Sequence, residues 1–223
     1  QSFLTNEFSR VGSGTAKEIC DNASLATNSK PQELNHAQIE QLMTGIKNTK
    51  IIAPPTDCIA PISQELLEKG LRKEVNAEFY TAVTRSPDVY RGIPFVVEAA
   101  AAYGGEQAGD QPVRLLRFAN RVPLLYQQSA CATFKSVIGT NWRPYGLQQS
   151  QSALPIGPVT IIIHLASVWP PFTSEAKEAM AHYPEIIKEM KLALQEVGRK
   201  LGSYVNKKKR VGEAQARINI FEN

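Results

Sequence analysis

Apolar residues keep two different rhythms along the chain. Through residue 83 they recur at helical spacing. Thr15 is placed to cap a helix running through Ile19, and Asn35 is placed to cap a second in which Ile39, Leu42, Met43 and Ile46 share a face. Ile62 to Leu67 then opens a third that stops at Gly70. The proline-rich stretch IAPPTDCIAP (52–61) separates the last two. The texture changes at Arg85-Ser86-Pro87-Asp88, and from Pro94 the runs have strand length: PFVVEAAAAY (94–103), VRLLRFA (113–119), RVPLLY (121–126) and VTIIIHLASV (159–168). Asn120 tolerates the left-handed conformation of a tight hairpin between the second and third runs, and a glycine-rich loop (104–112) joins the first two. That arrangement predicts an antiparallel meander, followed by a short helix from about 129 to 138.

Beyond the last apolar run, Trp169-Pro170-Pro171 ends any ladder, because proline has no N–H to give. Phe172 to Ala179 reads as a helix start, with Thr173 or Ser174 as the cap, Glu175 at the positive end and Lys177 inside the first turn. A cation there opposes the macrodipole by about 0.3–1 kcal/mol. Beside a bound anion, the same lysine and the free N–H groups make a phosphate site; without one, Lys177 is a solvated residue between Glu175 and Glu178. A further helix begins at Pro184, a favoured first position, and carries Ile187, Met190, Leu194, Val197, Leu201 and Tyr204 at alternating spacings of three and four. This seam fails at Lys208, inside Lys207-Lys208-Lys209-Arg210, while helical composition continues to Phe221. Roughly 35 such residues span about 50 Å, so the distal half must leave the body on which the proximal half packs, as a stalk.

Composition narrows the class. A chain of 223 residues with 43% apolar content fills a real core, and no window approaches a membrane span or a signal peptide, so a cytoplasmic globular protein with no membrane partner is expected. Three cysteines and three histidines lie scattered, with neither a metal signature nor a disulfide framework. The first residue is Gln, and the chain stops inside a helical pattern, so it is expected to be an internal piece of a longer polypeptide. Of the net +4, most comes from residues 185–223, with nine basic and five acidic side chains; this permits nucleic-acid contact without demonstrating it.

Four segments in this order carry a resemblance: PFVVEAAAAYGG (94–105), LLRFANRVPLLYQ (115–127), NWRPYGL (141–147) and HLASVWPPFTSEAKEA (164–179). Together they resemble the B subunits of type IIB DNA topoisomerases, the archaeal topoisomerase VI family. EFSRVGSGTAKEI (7–19) is similar to that family's helix-two-turns-helix insert, so the likeness covers essentially the whole chain. It implies an α+β fold: a small all-helical helix-two-turns-helix domain at 1–84, an α/β transducer domain at 85–205, and the start of a distal stalk helix at 206–223. In the transducer, helices would cover one face of a mainly antiparallel sheet containing a left-handed β-α-β crossover, against the usual hand. The resemblance further implies an N-terminal ATPase module of the gyrase kind, binding ATP and Mg2+, upstream of residue 1. The DNA-cutting tyrosine would belong to a partner A subunit, and a second B subunit would join on ATP binding.

Site residues follow from the same resemblance. The family's lysine in the strand-to-helix loop, which contacts the γ-phosphate, corresponds to Lys177, here in Ser174-Glu175-Ala176-Lys177 without a preceding glycine. The family's tryptophan-lysine-x-tyrosine contact to double-stranded DNA corresponds to Trp142, Arg143 and Tyr145, with arginine in place of lysine. The alternative is that Trp142 and Tyr145 close a local core. Lys207, Lys208, Lys209 and Arg210 are further DNA candidates, or a solvated helix face. The fragment itself is expected to be inactive, coupling ATP turnover elsewhere to gate opening and duplex passage by the A subunit. Two other classes remain open: a non-enzymatic nucleic-acid-binding module, and the transducer of a mismatch-repair ATPase.

Overall fold

The computed structural model describes residues 1–52 and 55–221, with side chains to residue 215; Ala53 and Pro54 of the proline-rich loop and residues 222–223 lie outside it. Two compact units divide the chain, Gln1–Pro55 and Thr56–Asn223.

The first unit is helical: α1 (Ser2–Glu7), α2 (Ser13–Asn22) and α3 (His36–Asn48) surround a small core of Leu4, Val11, Ala16, Ile19 and Cys20. Asn35 caps α3 as its position suggests, in a reciprocal box in which its side chain accepts from Gln38 N and the Gln38 side chain accepts from Asn35 N. Thr15 caps nothing, because α2 already begins at Ser13 after Gly12. Gly45 lets α3 lie close against α2, since a Cβ there would sit 2.7 Å from Ile19 O and 2.8 Å from Ala23 Cβ.

The second unit opens with α4 (Gln64–Glu74), whose N-terminus is capped by Ser63. Its strands are β1 (Phe79–Thr84), β2 (Asp88–Tyr90), β3 (Ile93–Tyr103), β4 (Arg114–Ala119), β5 (Val122–Pro123) and β6 (Val159–Ser167), interrupted by α5 (Ala132–Ile138) and closed by α6 (Pro184–Phe221). Among the described residues the sheet order is β1-β3-β6-β4-β5, with β2 paired to the start of β3. The anticipated meander therefore does not form. β6 inserts between β3 and β4, antiparallel to the first and parallel to the second. The physical reason lies in β6 itself, which is buried at every position and so belongs at the centre, with neighbours on both edges and covered on both faces. β1 corrects a second expectation, since residues 79–84 fell in the stretch read as helical. Because α4 and β1 pack on this sheet, the compact unit starts at Thr56 and not at the textural change near residue 85.

Period-two alternation decides what each face carries. Phe95, Val97, Ala99 and Ala101 of β3, with Ile161, Ile163 and Leu165 of β6, meet Met190, Leu194, Val197 and Leu201 of α6. Ala100, Ala102 and Ile162 turn the other way, toward Leu67 and Leu71 of α4 and Val75 just after it. The Asn120 hairpin does form, with Asn120 at φ 46° and Arg121 at φ 67°. Residues 172–180, in contrast, are not helical. Phe172 and Met180 form an antiparallel bridge, Lys177 N donates to Ser174 O at 3.1 Å, and Lys177 occupies the left-handed region at φ 54°. Ala179 and Met180 are fully buried, which draws the chain back into the core and leaves Ser174–Lys177 as an exposed turn tip. Lys177 consequently borrows nothing from a helix dipole.

Candidate functional site

At the end of the sheet where β4 and β6 finish, a groove of about 510 Å³ opens between the β4–β5 turn and the Lys177 turn, lined by Asn120, Val122, Leu124, Val168, Trp169, Phe172 and Lys177 among others. Its first wall is pinned by Asn120, whose side-chain amide donates to Ser167 O at 2.8 Å and accepts from Ser167 N at 2.9 Å. Ser167 Oγ in turn donates to Pro94 O at 3.0 Å, tying the end of β6 to the start of β3. The second wall is tethered by a hydrogen bond from Gln127 to Glu178, beside Lys177. The Lys177 side chain is exposed and makes no hydrogen bond or ion pair among the described residues. An ammonium free of partners, on a long stem at the rim of a groove, suits a phosphate oxygen. Around it Trp169 is 74% and Val122 60% exposed, and Glu175 adds a carboxylate to the same lining.

The DNA candidates lie toward the other end of the sheet. β6 is nine residues long, or roughly 30 Å at about 3.3 Å per residue. Trp142 corrects the expectation drawn for it, because its ring is 0% exposed and its Nε1 donates to Val137 O at 2.9 Å. A buried indole cannot stack on a base without unfolding its surroundings. Tyr145 meets Trp142 edge-on at 6.0 Å and lies in a notch of α6 cut by Gly198 and Gly202. It is a packing residue as well. Arg143 alone of the three faces solvent, with Nε and Nη2 donating to Gln149 O at 2.9 and 2.7 Å, so the guanidinium is held in place while Nη1 stays open.

In the basic run, Lys207, Lys209 and Arg210 are exposed, while Lys208 lies 2.5 Å from Glu78, which also accepts from Tyr204 OH at 3.3 Å. The hydrogen bond from Lys208 holds the Glu78 carboxyl below the usual carboxylate range and raises Lys208 in return. Lys208 is thus engaged in fixing α6 to the start of β1. Tyr145 against Gly198 and Gly202, and Gly146 against Val205, bring the Arg143 loop onto α6 just before the basic run begins. Arg143 and the exposed cations share this region; Lys177 stands apart from them.

Two functional-looking residues escaped the sequence reading. Glu98 and His164 are the ionisable residues of two apolar runs, and both are completely buried, 2.8 Å apart. Their signal was present, since an ionisable group inside a buried strand requires partners.

No helix among the described residues is long and apolar enough to cross a membrane. Comparison with known proteins places these features in context. A family profile described as topoisomerase VI B subunit, transducer, matches residues 54–217. The B subunit of type 2 DNA topoisomerase 6 from Methanococcoides burtonii is 50% identical over 205 residues, 92% of this chain and 33% of its own length. The protein of the same description from Archaeoglobus fulgidus is 47% identical over 208 residues, 93% of this chain and 34% of its own, and that from Methanosarcina acetivorans is 46% identical over 205 residues, 92% and 33%. The chain thus spans about a third of the length of these curated relatives.

Proposed function

The chain belongs to the topoisomerase VI B-subunit family, and from that premise we propose that it is the coupling part of an ATP-dependent type IIB topoisomerase. In this reading ATP and Mg2+ are held by a nucleotide-binding domain elsewhere in the whole cytoplasmic protein. That domain seats on the apolar rim around Trp169 and Val122, so that Lys177 reaches the γ-phosphate. Lys177 gains a charge-assisted bond while that phosphate is present and loses it after hydrolysis, so the orientation of the unit follows nucleotide state. α6 starts beside the groove, where Tyr183 and Ile186 neighbour Trp169, and leaves the sheet at its opposite end. With 38 residues, it is about 57 Å long at 1.5 Å per residue. Such a helix carries a rotation of the sheet toward the A subunit, which cuts double-stranded DNA and lets a second duplex pass, while a second B subunit closes the ATP-bound state.

The observation that carries this reading is the partner-free ammonium of Lys177 on an exposed turn at the groove's rim. In the full-length B subunit assembled with its A subunit, Lys177→Ala should lower ATP turnover and relaxation of supercoiled DNA by about 10²–10³, the usual loss on removing one donor aimed at developing charge. Wild-type rates in both assays would return Lys177 to a solvated surface residue.

DNA is the other ligand we assign, to Arg143 with Lys207, Lys209 and Arg210. We read them as phosphate contacts, because Lys207, Lys209 and Arg210 stand at neighbouring positions that point around α6 and do not all share one face that could enter a groove.

A further inference from the structure

The sheet contains a hydrogen-bond relay that neither the groove nor the basic face uses. Glu98 on β3 and His164 on β6 are register partners, both 0% exposed. Glu98 Oε2 lies 2.8 Å from His164 Nδ1 and accepts from Ile62 N at 2.8 Å; Oε1 accepts from Ser63 N and from Thr84 Oγ1, each at 2.7 Å. On the far side of the imidazole, Nε2 lies 3.0 Å from Arg121 N. A backbone amide only donates, so Nε2 must accept, the ring proton must sit on Nδ1, and the ring is neutral. The relay therefore reads in one direction, from the Arg121 N–H through His164 to the Glu98 carboxylate, which is gripped from its other side by the residues that open α4.

Its two ends are informative. Arg121 belongs to the β4–β5 turn whose preceding residue, Asn120, lines the Lys177 groove. Ile62 and Ser63 lead into α4, and the Arg121 guanidinium also donates to Pro61 O at 3.3 Å. We propose that Glu98 and His164 are positioning residues that lock the groove's β4–β5 wall to segment 60–63, so that the two shift as one body when the groove is occupied. A shift of the wall alone would strand His164 Nε2 without its donor, or pull His164 from Glu98. Buried polar groups tolerate neither, so intermediate positions are disfavoured and the movement is passed on whole. The inference rests on the reading that a nucleotide-bearing domain occupies the rim of this groove and engages Lys177.

Two variants cut the relay at opposite ends. His164→Asn keeps a donor where Nδ1 stood and removes the acceptor at Nε2, whereas His164→Gln keeps an acceptor that reaches toward Arg121 and removes the donor to Glu98. Hydrogen exchange of residues 119–122 and 60–66 is measured in the full-length B subunit with its A subunit, with and without a non-hydrolysable ATP analogue, alongside ATP turnover. In the wild type the analogue should alter protection of both segments. His164→Asn and His164→Gln should each keep the response at 119–122 and weaken that at 60–66 by about tenfold, because either cut interrupts the relay. Thr84→Val removes a bond to Glu98 that lies off the relay and should keep both responses. A response at 60–66 that survives in His164→Asn or His164→Gln, one lost equally in Thr84→Val, or no wild-type response at either segment would overturn the relay. Lys177→Ala tests the nucleotide reading separately: if it abolishes turnover while His164→Asn leaves the 60–66 response intact, the relay fails and that reading stands.

Discussion

Replacing Glu98 by Gln changes no volume, so its cost isolates the hydrogen bonding of the relay. One amide orientation puts NH2 at the Oε2 position, facing Ile62 N–H and His164 Nδ1–H, both 2.8 Å away. His164 can switch tautomer to accept from that NH2, but its proton then moves to Nε2 and confronts Arg121 N–H, 3.0 Å away. The conflict is relocated and not removed, and Ile62 N–H still lacks an acceptor. In the opposite orientation NH2 faces Ser63 N–H and Thr84 Oγ1 at 2.7 Å. Thr84 can rotate its hydroxyl to accept, yet Ser63 N–H is left unpaired. One buried donor is thus unsatisfied in the better case, at about 1–3 kcal/mol, and the surviving bonds lose their charge assistance, for a total of about 2–4 kcal/mol. At roughly 2–4 °C per kcal/mol for a chain of this size, the melting temperature should fall by roughly 5–15 °C. The loss should also depend on pH. Burial pushes the Glu98 carboxyl up, but bonds from His164, Thr84, Ile62 and Ser63 outweigh it and hold it below the usual carboxylate range. A depressed folded value stabilises fully above the unfolded value of about 4.3 and loses that stabilisation as pH falls through the lower, folded one. Calorimetry of wild type and Glu98→Gln from pH 7 downward should therefore show a gap that is constant above about pH 5 and narrows in more acidic buffer. A gap below about 1 kcal/mol at neutral pH, or one that acid does not narrow, would refute the account.

Gly198→Ala should destabilise by about 1–3 kcal/mol, read as a fall in urea midpoint, because the new Cβ would lie 2.3 Å from the Tyr145 ring; helix propensity alone would stabilise by about 1 kcal/mol, so the sign decides. In DNA binding by the assembled enzyme, Arg143→Ala and neutralisation of Lys207, Lys209 and Arg210 should each flatten the plot of log affinity against log salt by about one unit per contact removed, with unchanged slopes placing the DNA path elsewhere. Lys208→Ala should flatten it less than Lys207→Ala or Arg210→Ala, because Lys208 is held by Glu78 at 2.5 Å; an equal effect would mean that the pair opens on DNA.

Much of this architecture is legible in the chain because particular residues leave few choices. The α6 seam, with Met190, Leu194, Val197 and Leu201 all fully buried, follows directly from the spacing of three and four. Asn120 marks its turn through backbone tolerance, and Asn35 with Gln38 marks a helix start through reciprocal caps. Strand order is harder, because adjacency in sequence suggested that β3 and β4 should pair, while the cue that β6 intervenes lay in its unbroken apolar run. β1 was hidden by brevity and by its position after α4. The Lys177 turn misled for a different reason. Thr173, Ser174 and Glu175 satisfy every local rule for a helix start, and what overrides them is tertiary: Ala179 and Met180 must reach the core and Phe172 must bridge back. Trp142 carried the same ambiguity in reverse, since a tryptophan beside an arginine reads equally as a stacking platform or as a plug, and only burial distinguishes the two.

Placement of the cations then constrains how the unit can work. Lys177 projects from the end of the sheet where β6 finishes, and the basic run follows the point at which α6 clears the opposite end, where Tyr204 stacks on Phe79 at 4.6 Å. A nucleotide is too short to bridge both ends, so its influence on the cations we assign to DNA has to pass through the body between them. That body is suited to transmit and not to absorb. The central strands are buried on both faces, small side chains at Ala99 to Ala102 hold α6 and α4 close on either side, and the Gly198–Gly202 notch locks the Arg143 loop onto α6. A densely packed layer moves as a unit. Arg143 and the start of the basic run must accordingly follow any tilt imposed at the Lys177 groove, with the displacement growing along α6 in proportion to distance from the pivot.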